Sequence, residues 1–114
     1  AEILSGLTTR LSAPMPGLSV IRNARVFDSA TATLGEALSD VYVLRGRITA
    51  VLPAGSPGRA VARSLDAGGR VLLPGLFDMH GHVGRWEGGL NLAAGVTTVR
   101  DMGNDNATLQ RIIE

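Results

Sequence analysis

Two histidines separated by one residue are the side chains in this sequence best suited to chemistry by type and spacing. They follow the apolar run of residues 71–77. The run is short, rich in Val and Leu and bounded by turn residues, which predicts a buried β-strand. Because side chains alternate along a strand, Asp78, His80 and His82 would share one face. Two imidazoles projecting together from the carboxyl end of a strand form a pre-oriented pair of nitrogen ligands, which suits zinc and similar metals.

The carboxylate on the same face has two interpretations, and both stay open. Asp78 could accept a hydrogen bond from an imidazole and orient it. It could equally be a turn or capping carboxylate with no part in metal binding. A bare His-x-His pair is also common by chance, so the metal hypothesis depends on the sequence around it.

Two strings around this pair carry a family resemblance. Residues 73–82, LPGLFDMHGH, show the pattern Pro-Gly-aliphatic-x-Asp-x-His-x-His and resemble the first barrel strand of the amidohydrolase superfamily of metal-dependent hydrolases. Residues 95–103, GVTTVRDMG, resemble the second strand of that superfamily. The resemblance covers roughly residues 18–114. Within the superfamily the chain looks closest to dipeptidase- or prolidase-like members, which cleave dipeptides or acylated amino acids, or to imidazolonepropionase-related members.

The resemblance implies an α/β fold in which a partial β-sandwich precedes the first strands of a TIM-type (β/α)8 barrel. Such a barrel needs about 250 residues, whereas this chain has 114. We therefore expect the chain to be the N-terminal piece of a longer protein. Its expected divisions are a lead-in or linker at 1–17, the partial β-sandwich at 18–70 and the start of the barrel at 71–114.

Turn signals and periodicity predict the elements within these divisions. Arg45-Gly46 predicts a hairpin between strands at 40–44 and 47–52. Residues 18–28 are predicted to form one or two short strands, with Asn23 as the candidate for a kink, and another strand is predicted at 61–66. In the barrel part, residues 84–94 connect two strands, and Leu90, Leu92, Ala93 and Ala94 could form a short helix there, since Gly88-Gly89 argues against a long one. A strand is predicted at 96–100 and a helix from residue 107. Three residues could cap that last helix: Asn104, Asp105 and Asn106.

For the chemistry, the resemblance implies that His80 and His82 bind a divalent metal, in the first place Zn2+, as one ion or two. The reaction would be hydrolysis of an amide or peptide-like C–N bond by a metal-activated water. A lysine that commonly bridges two metals in this superfamily cannot come from this chain, because all eleven of its basic residues other than histidine are arginine. We expect no catalytic residue in this segment and no activity from the segment alone.

Four further residues near the two strand ends are candidates with open alternatives. Arg85 and Trp86 lie on the loop where barrel enzymes place substrate contacts, and Trp86 could instead cover the core. Arg100 and Asp101 could bind a substrate carboxylate or act in acid-base chemistry. For this pair we favour a buried ion pair at the end of the barrel.

Composition excludes some partners and leaves others open. The net charge of +1 argues neither for nor against any partner, and the sequence has no basic cluster of the kind that would suggest nucleic acid. No apolar run is long enough for a membrane helix. There is no cysteine, and so no disulfide framework or thiolate site. We expect a soluble protein whose partners are a small-molecule substrate, such as a dipeptide or N-acyl amino acid, and the remainder of the same protein. Oligomer formation and the compartment, cytoplasmic, periplasmic or secreted, stay open.

Two other classes of function compete with this interpretation. The chain could be a small non-catalytic β-rich binding module in which the histidines are incidental. It could also be a split fragment that needs a complementary chain. Since parallel strands without further neighbours expose unpaired edges, we expect the isolated segment to be unstable or to associate.

Overall fold

Strands account for most of the regular structure in the computed structural model, which describes residues 17–84 and 86–113. The strands are β1 (Leu18–Asp28), β2 (Thr33–Leu34), β3 (Ser39–Leu44), β4 (Arg47–Pro53), β5 (Arg63–Asp66), β6 (Val71–Leu72), β7 (Leu76–Gly81) and β8 (Val96–Asp101), and the helices are α1 (Glu87–Ala93) and α2 (Asn106–Ile113). The chain divides into two units between Pro74 and Gly75, whereas the sequence predicts a division after Arg70. Most of the predicted lead-in, residues 1–16, lies outside the described residues.

The first unit is a six-stranded sheet organised around the long strand β1. This strand pairs antiparallel with β2 and β3 and parallel with β5 and β6, while β4 pairs with β3. The register of the β1–β3 pairing shifts between Ile21 and Ala24, and Asn23 has a positive φ of 55°. Asparagine tolerates this left-handed conformation better than most residues do. The predicted kink at Asn23 is therefore confirmed.

The hairpin that joins β3 to β4 also follows the prediction. Arg45 and Gly46 have φ values of 50° and 74°. Positive φ at both central residues is the signature of a type I′ turn, whose twist matches that of the flanking strands. The turn thereby sets the pairing of Leu44 with Arg47.

The core of the first unit lies at the junction of β1 and β3. Its buried apolar side chains are Val20, Ala24, Val41 and Tyr42. Asp40 is buried beside them, with 1% of its surface exposed, and accepts hydrogen bonds from the Asn23 N–H at 3.0 Å and from Arg22 Nη1 at 3.3 Å. A buried carboxylate needs such donors, so Asp40 ties β3 to the kink in β1. The second layer of the predicted sandwich stays a prediction.

The apolar run that the sequence predicts as one buried strand is two strands. Val71 and Leu72 form β6, which pairs with β1 in the first unit, and the next strand begins at Leu76. Pro74 interrupts the run because proline has a fixed φ and no N–H to donate to a sheet. Leu76 and Phe77 are 53% and 68% exposed, so the prediction of a single buried strand is wrong.

The second unit is a parallel β-α-β arrangement. Strands β7 and β8 pair in parallel, and the connection between them contains α1. This confirms a short helix in the predicted interval, although it begins at Glu87 and so includes Gly88 and Gly89. Gly75 permits the close approach of the two strands, because a Cβ there would clash with the side chain of Thr97. Neither described helix combines the length and the apolar character that crossing a membrane requires.

The helix that follows β8 is capped by one of the three predicted candidates. Asp105 immediately precedes α2, and its carboxylate accepts hydrogen bonds from the Thr108 N–H at 2.8 Å and the Thr108 hydroxyl at 2.6 Å. These are the contacts of an N-cap residue. Both hydrogen bonds lower the pKa of Asp105 from its ordinary value, since they favour the ionised carboxylate.

Candidate metal-binding site

The two predicted ligands lie at the carboxyl end of β7. His80 is within the strand and His82 follows its last residue, Gly81. Their ring centroids are 6.0 Å apart, and the ring planes meet at 75°. Both side chains are exposed. The structure therefore brings the two imidazoles together at a strand terminus, as the alternation along the strand predicts.

The separation of the rings can be tested against a shared metal ion. With a Zn–N bond of about 2.0–2.1 Å, each ring centroid lies about 3.2 Å from the ion, so two rings on one tetrahedral ion have centroids about 5.2 Å apart. The observed 6.0 Å exceeds that spacing by roughly 0.8 Å, which rotation of two exposed side chains can close. Two imidazole nitrogens at one strand end are a donor set that fits zinc. Among the described residues, no set of three or more His, Cys, Asp or Glu side chains is grouped to hold a metal. The pair would supply half of a four-coordinate site.

Asp78 contacts the backbone next to it. Its Oδ1 accepts a hydrogen bond from the His80 N–H at 3.0 Å. A Cβ on Gly81 would lie 3.0 Å from the other oxygen, Oδ2, so glycine leaves room for this carboxylate. The backbone contact is that of a turn carboxylate, one of the two open interpretations. An imidazole-orienting role for Asp78 stays a prediction.

A second carboxylate, at the end of β8, faces one of the imidazoles. Asp101 Oδ1 lies 3.8 Å from His82 Nδ1, and the Asp101 side chain is only 14% exposed. Asn104 Nδ2 donates to Asp101 Oδ2 at 2.8 Å, as does the Val83 N–H at 3.0 Å. These two hydrogen bonds, followed by one from the Gly103 N–H and the nearby His82, lower the pKa of Asp101. The carboxylate is thus held in its ionised form beside the ring.

The expected buried ion pair between Arg100 and Asp101 is wrong. Arg100 is exposed, and its Nε lies 2.9 Å from the sulfur of Met102. Consecutive residues of a strand point to opposite faces, which separates the two side chains. Among the described residues, the basic side chain near the Asp101 carboxylate is that of His82, whose Nδ1 lies 3.8 Å from Oδ1.

The two loop candidates remain predictions. Arg85 lies outside the described residues. Trp86 is 43% exposed, and its backbone N–H donates to Glu87 Oε2 at 3.3 Å. Since Trp86 directly precedes α1, its position is set by the start of that helix.

Sequence reasoning missed the grouping of Asp101 and Asn104 beside His82. A signal was present, because the two strand motifs predict parallel strands and the carboxyl ends of neighbouring parallel strands meet at one edge of a sheet. Asp101 ends the second strand, and Gly81 is its partner in the register of the two strands. A polar residue at that position is therefore expected near the histidines. The contact of Asn104 depends on the loop after β8, which the strand pattern does not specify.

Comparison with known proteins adds sequence relatives and similar folds, although no protein-family model matches the chain. An allantoinase from Streptomyces avermitilis is 43% identical over 93 residues, covering 73% of this chain and 20% of the relative. A dihydroorotase from Solibacter usitatus is 42% identical over 64 residues, covering 56% of this chain and 14% of the relative. A prolidase structure with bound N-methylphosphonate-L-proline has a TM-score of 0.62 at 22% identity, covering 84% of this chain and 28% of the prolidase.

The chain thus spans a fifth or less of the length of these two curated relatives. The likeness to the prolidase, at 22% identity, shows that this chain shares its fold with part of that protein. The two sequence relatives say more about the family of this chain than the prolidase structure does, since they match this chain at 42% and 43% identity.

Proposed function

Because the chain belongs to the amidohydrolase superfamily, we propose that it forms part of a metal-dependent enzyme that hydrolyses a C–N bond. In this proposal His80 and His82 are the nitrogen ligands that the segment contributes to a divalent metal. The metal is Zn2+ in the first place, bound as one ion or two. The observation that carries the proposal is the 6.0 Å approach of the two rings at the carboxyl end of β7.

The position of the pair agrees with the proposed chemistry. In TIM-barrel enzymes the active site lies at the carboxyl ends of the strands, which is where β7 presents both imidazoles. A divalent metal held there would act as a Lewis acid toward the scissile group and lower the pKa of water. The contribution of His80 and His82 is to hold the ion as neutral imidazoles at a defined place on the sheet.

The rest of the site is proposed to come from the remainder of the same protein. Two histidines are too few, since a catalytic zinc usually has three protein ligands. A bridging lysine would also have to come from elsewhere, because this sequence contains none. We therefore propose that the segment is inactive alone and that a TIM-type barrel continues beyond β8 and α2.

The proposed substrate class is a small molecule with an amide or related C–N bond. The motif resemblance favours a dipeptide or an N-acyl amino acid. The 43% identity to an allantoinase gives a specific reason to test a second candidate, allantoin itself. A panel of dipeptides, N-acyl amino acids, allantoin and dihydroorotate assayed with the full-length protein would discriminate between these substrates.

The metal part of the proposal is tested by metal analysis of the full-length protein and of its His80→Ala and His82→Ala variants. We expect each variant to hold less metal than the wild type and to lose hydrolytic activity. Asp66→Asn, which changes a carboxylate in the first unit, is the control and should keep the wild-type metal content. Unchanged metal stoichiometry in both histidine variants would contradict the ligand assignment and favour a non-catalytic binding module.

A further inference from the structure

The Asp101 carboxylate is held by three hydrogen-bond donors. Its Oδ2 accepts from the Val83 N–H at 3.0 Å and from Asn104 Nδ2 at 2.8 Å, and its Oδ1 accepts from the Gly103 N–H at 3.2 Å. Three donors from three residues leave the carboxylate little freedom to rotate. The oxygen that it turns toward His82 is Oδ1, 3.8 Å from the ring nitrogen Nδ1.

Asn104 extends this arrangement to the backbone that follows the histidine. Its Nδ2 donates both to the Asp101 carboxylate and to the Val83 carbonyl oxygen. The N–H and the C=O of Val83 are therefore both held by side chains from the end of β8 and the loop after it. Because Val83 directly follows His82, these contacts anchor the chain on the carboxyl side of the histidine.

The ring of His82 also passes close to Gly103. A Cβ at this position would lie 3.4 Å from His82 Cε1 and 3.9 Å from Nδ1. These are ordinary van der Waals distances, so the His82 ring lies alongside the backbone of Gly103. The Nδ1 edge of the imidazole faces the β8 loop, which leaves Nε2 as the nitrogen farther from the carboxylate.

The two histidines differ in this respect. Among the residues that the structure describes, the imidazole with a carboxylate at ion-pair distance is His82. His80 is held through its backbone N–H, which donates to Asp78, and its ring contacts that of His82. Both would bind a metal under the proposed function, but within residues 17–84 and 86–113 it is His82 that has a held carboxylate beside its Nδ1.

The geometry points to Asp101 as a positioning residue that holds His82 with Nδ1 protonated and Nε2 free for the metal, with Asn104 holding Asp101 in turn. A shortening of the 3.8 Å contact by about 1 Å would bring Nδ1–H within the usual range of a charge-assisted hydrogen bond. The part of this inference that concerns metal rests on the proposed function. The part that concerns the ring protonation does not.

The first test therefore needs no metal. In metal-free full-length protein, nitrogen NMR at a pH where the imidazoles are neutral distinguishes the protonated ring nitrogen from the bare one. Signals are assigned with His80→Ala and His82→Ala. We expect the Nδ1–H form to dominate in His82 of the wild type and to decrease in Asp101→Asn, while His80 is unchanged. A His82 ring with the same tautomer in the wild type and Asp101→Asn would overturn the inference.

The second test measures zinc affinity by competition with a chromophoric chelator. Loss of a residue that orients a metal ligand typically weakens affinity by about 10–100-fold, and we expect a loss in that range for Asp101→Asn. The matched control is Asp105→Asn. The Asp105 carboxylate lies four residues after Asp101 and accepts hydrogen bonds from Thr108, so the zinc affinity of this variant should equal that of the wild type. Wild-type affinity in Asp101→Asn would contradict the inference.

Asn104→Ala keeps the inference testable if Asp101→Asn does not fold. This variant retains the Asp101 carboxylate and removes one of its hydrogen-bond donors. We therefore expect the His82 tautomer and the zinc affinity to change in the same direction as in Asp101→Asn, but by less. No change in either readout would overturn the inference. If the wild type binds no zinc at His80 and His82, the proposed function fails, and the tautomer measurement still decides the role of Asp101.

Discussion

The two units of the chain bury their apolar side chains to very different extents. In the first, Tyr42 and Val41 are 1% and 2% exposed and lie in a sheet of six strands. In the second, Phe77 and Met79 are 68% and 57% exposed on a sheet of two strands. Both units have apolar strands, but only the first has enough strands around them to form a core.

This difference separates what stabilises the fold from what positions the site. The first unit is held by burial of apolar area, at about 25 cal/mol per Å2. The histidine pair lies in the second unit, where side-chain hydrogen bonds at the strand ends hold the local backbone: Asp78 to His80, and Asp101 with Asn104 to Val83.

The largest effect is expected in the core of the first unit. Removal of a buried aromatic ring costs about 3–5 kcal/mol, so Tyr42→Ala should lower the free energy of unfolding of this unit by that amount. Hydrogen exchange of the β3 amides measures the change in the full-length protein. If the β3 amides of Tyr42→Ala keep wild-type protection, the core assignment is wrong.

Tyr42→Phe is the matched control for this variant. The Tyr42 hydroxyl is buried without a hydrogen-bond partner in the part of the chain that the structure describes. A buried unsatisfied polar group costs about 1–3 kcal/mol, whereas the ring makes the packing contacts. Tyr42→Phe should therefore be as stable as the wild type or more stable. A loss comparable to that of Tyr42→Ala would show that the hydroxyl has a partner.

Local features of the sequence were sufficient to predict several of these elements. Arg45-Gly46 indicates its hairpin because glycine readily adopts the positive φ that a two-residue turn requires. Asn23 indicates its kink because asparagine tolerates the left-handed conformation, and Gly46 and Asn23 both adopt a positive φ. The His80-x-His82 spacing predicts that the rings share a face, because alternation along a strand is a property of the backbone. The resemblance to the amidohydrolase superfamily likewise lies in two short stretches of sequence, residues 73–82 and 95–103.

The features that the sequence did not predict depend on contacts between distant residues. The pairing of β6 with β1 joins residues 71–72 to residues 25–26, and no local pattern in Val71 or Leu72 indicates that partner. The exposure of Phe77 depends on how many strands surround it, and the residues next to Phe77 in the sequence do not indicate that number. The contact of Asp101 with His82 depends on which strands become neighbours.

The next largest effect is expected in the isolated segment of 114 residues. Local opening ranges from almost no free energy at exposed sites to the full unfolding free energy in a core. We expect the β3 amides to exchange about a hundredfold or more slowly than those of β7 and β8, and the segment to be unstable or to associate through its exposed edges. Equal protection of both units, together with cooperative unfolding as a monomer, would remove the contrast.

A smaller effect is expected for Phe77→Ala in that segment. Substitutions of exposed residues usually change stability by no more than about 0.5 kcal/mol, and 68% of Phe77 is exposed. The same substitution in the full-length protein measures whether the remainder of the chain covers this face. In the full-length protein we expect Phe77→Ala to lower the free energy of unfolding by several times the amount found in the segment. Chemical denaturation of both proteins measures the two values. Equal small effects in the two proteins would mean that the face stays uncovered.

The smallest effect is expected in the pH dependence of stability, and it should remain local to the first unit. The side-chain amide of Asn23, and then the Gly68 N–H, hold the pKa of Asp66 below its ordinary value. Because the folded pKa is depressed, the ionised carboxylate contributes stability above about pH 4, and this contribution is lost as the pH falls through the folded value. Asp66→Asn should therefore weaken protection of β5 at pH 7 but not in stronger acid, whereas Asp105→Asn should affect α2 alone. Hydrogen exchange at both pH values checks this. A change in β7 or β8 on substitution of Asp66 would show that the two units are stabilised together rather than separately.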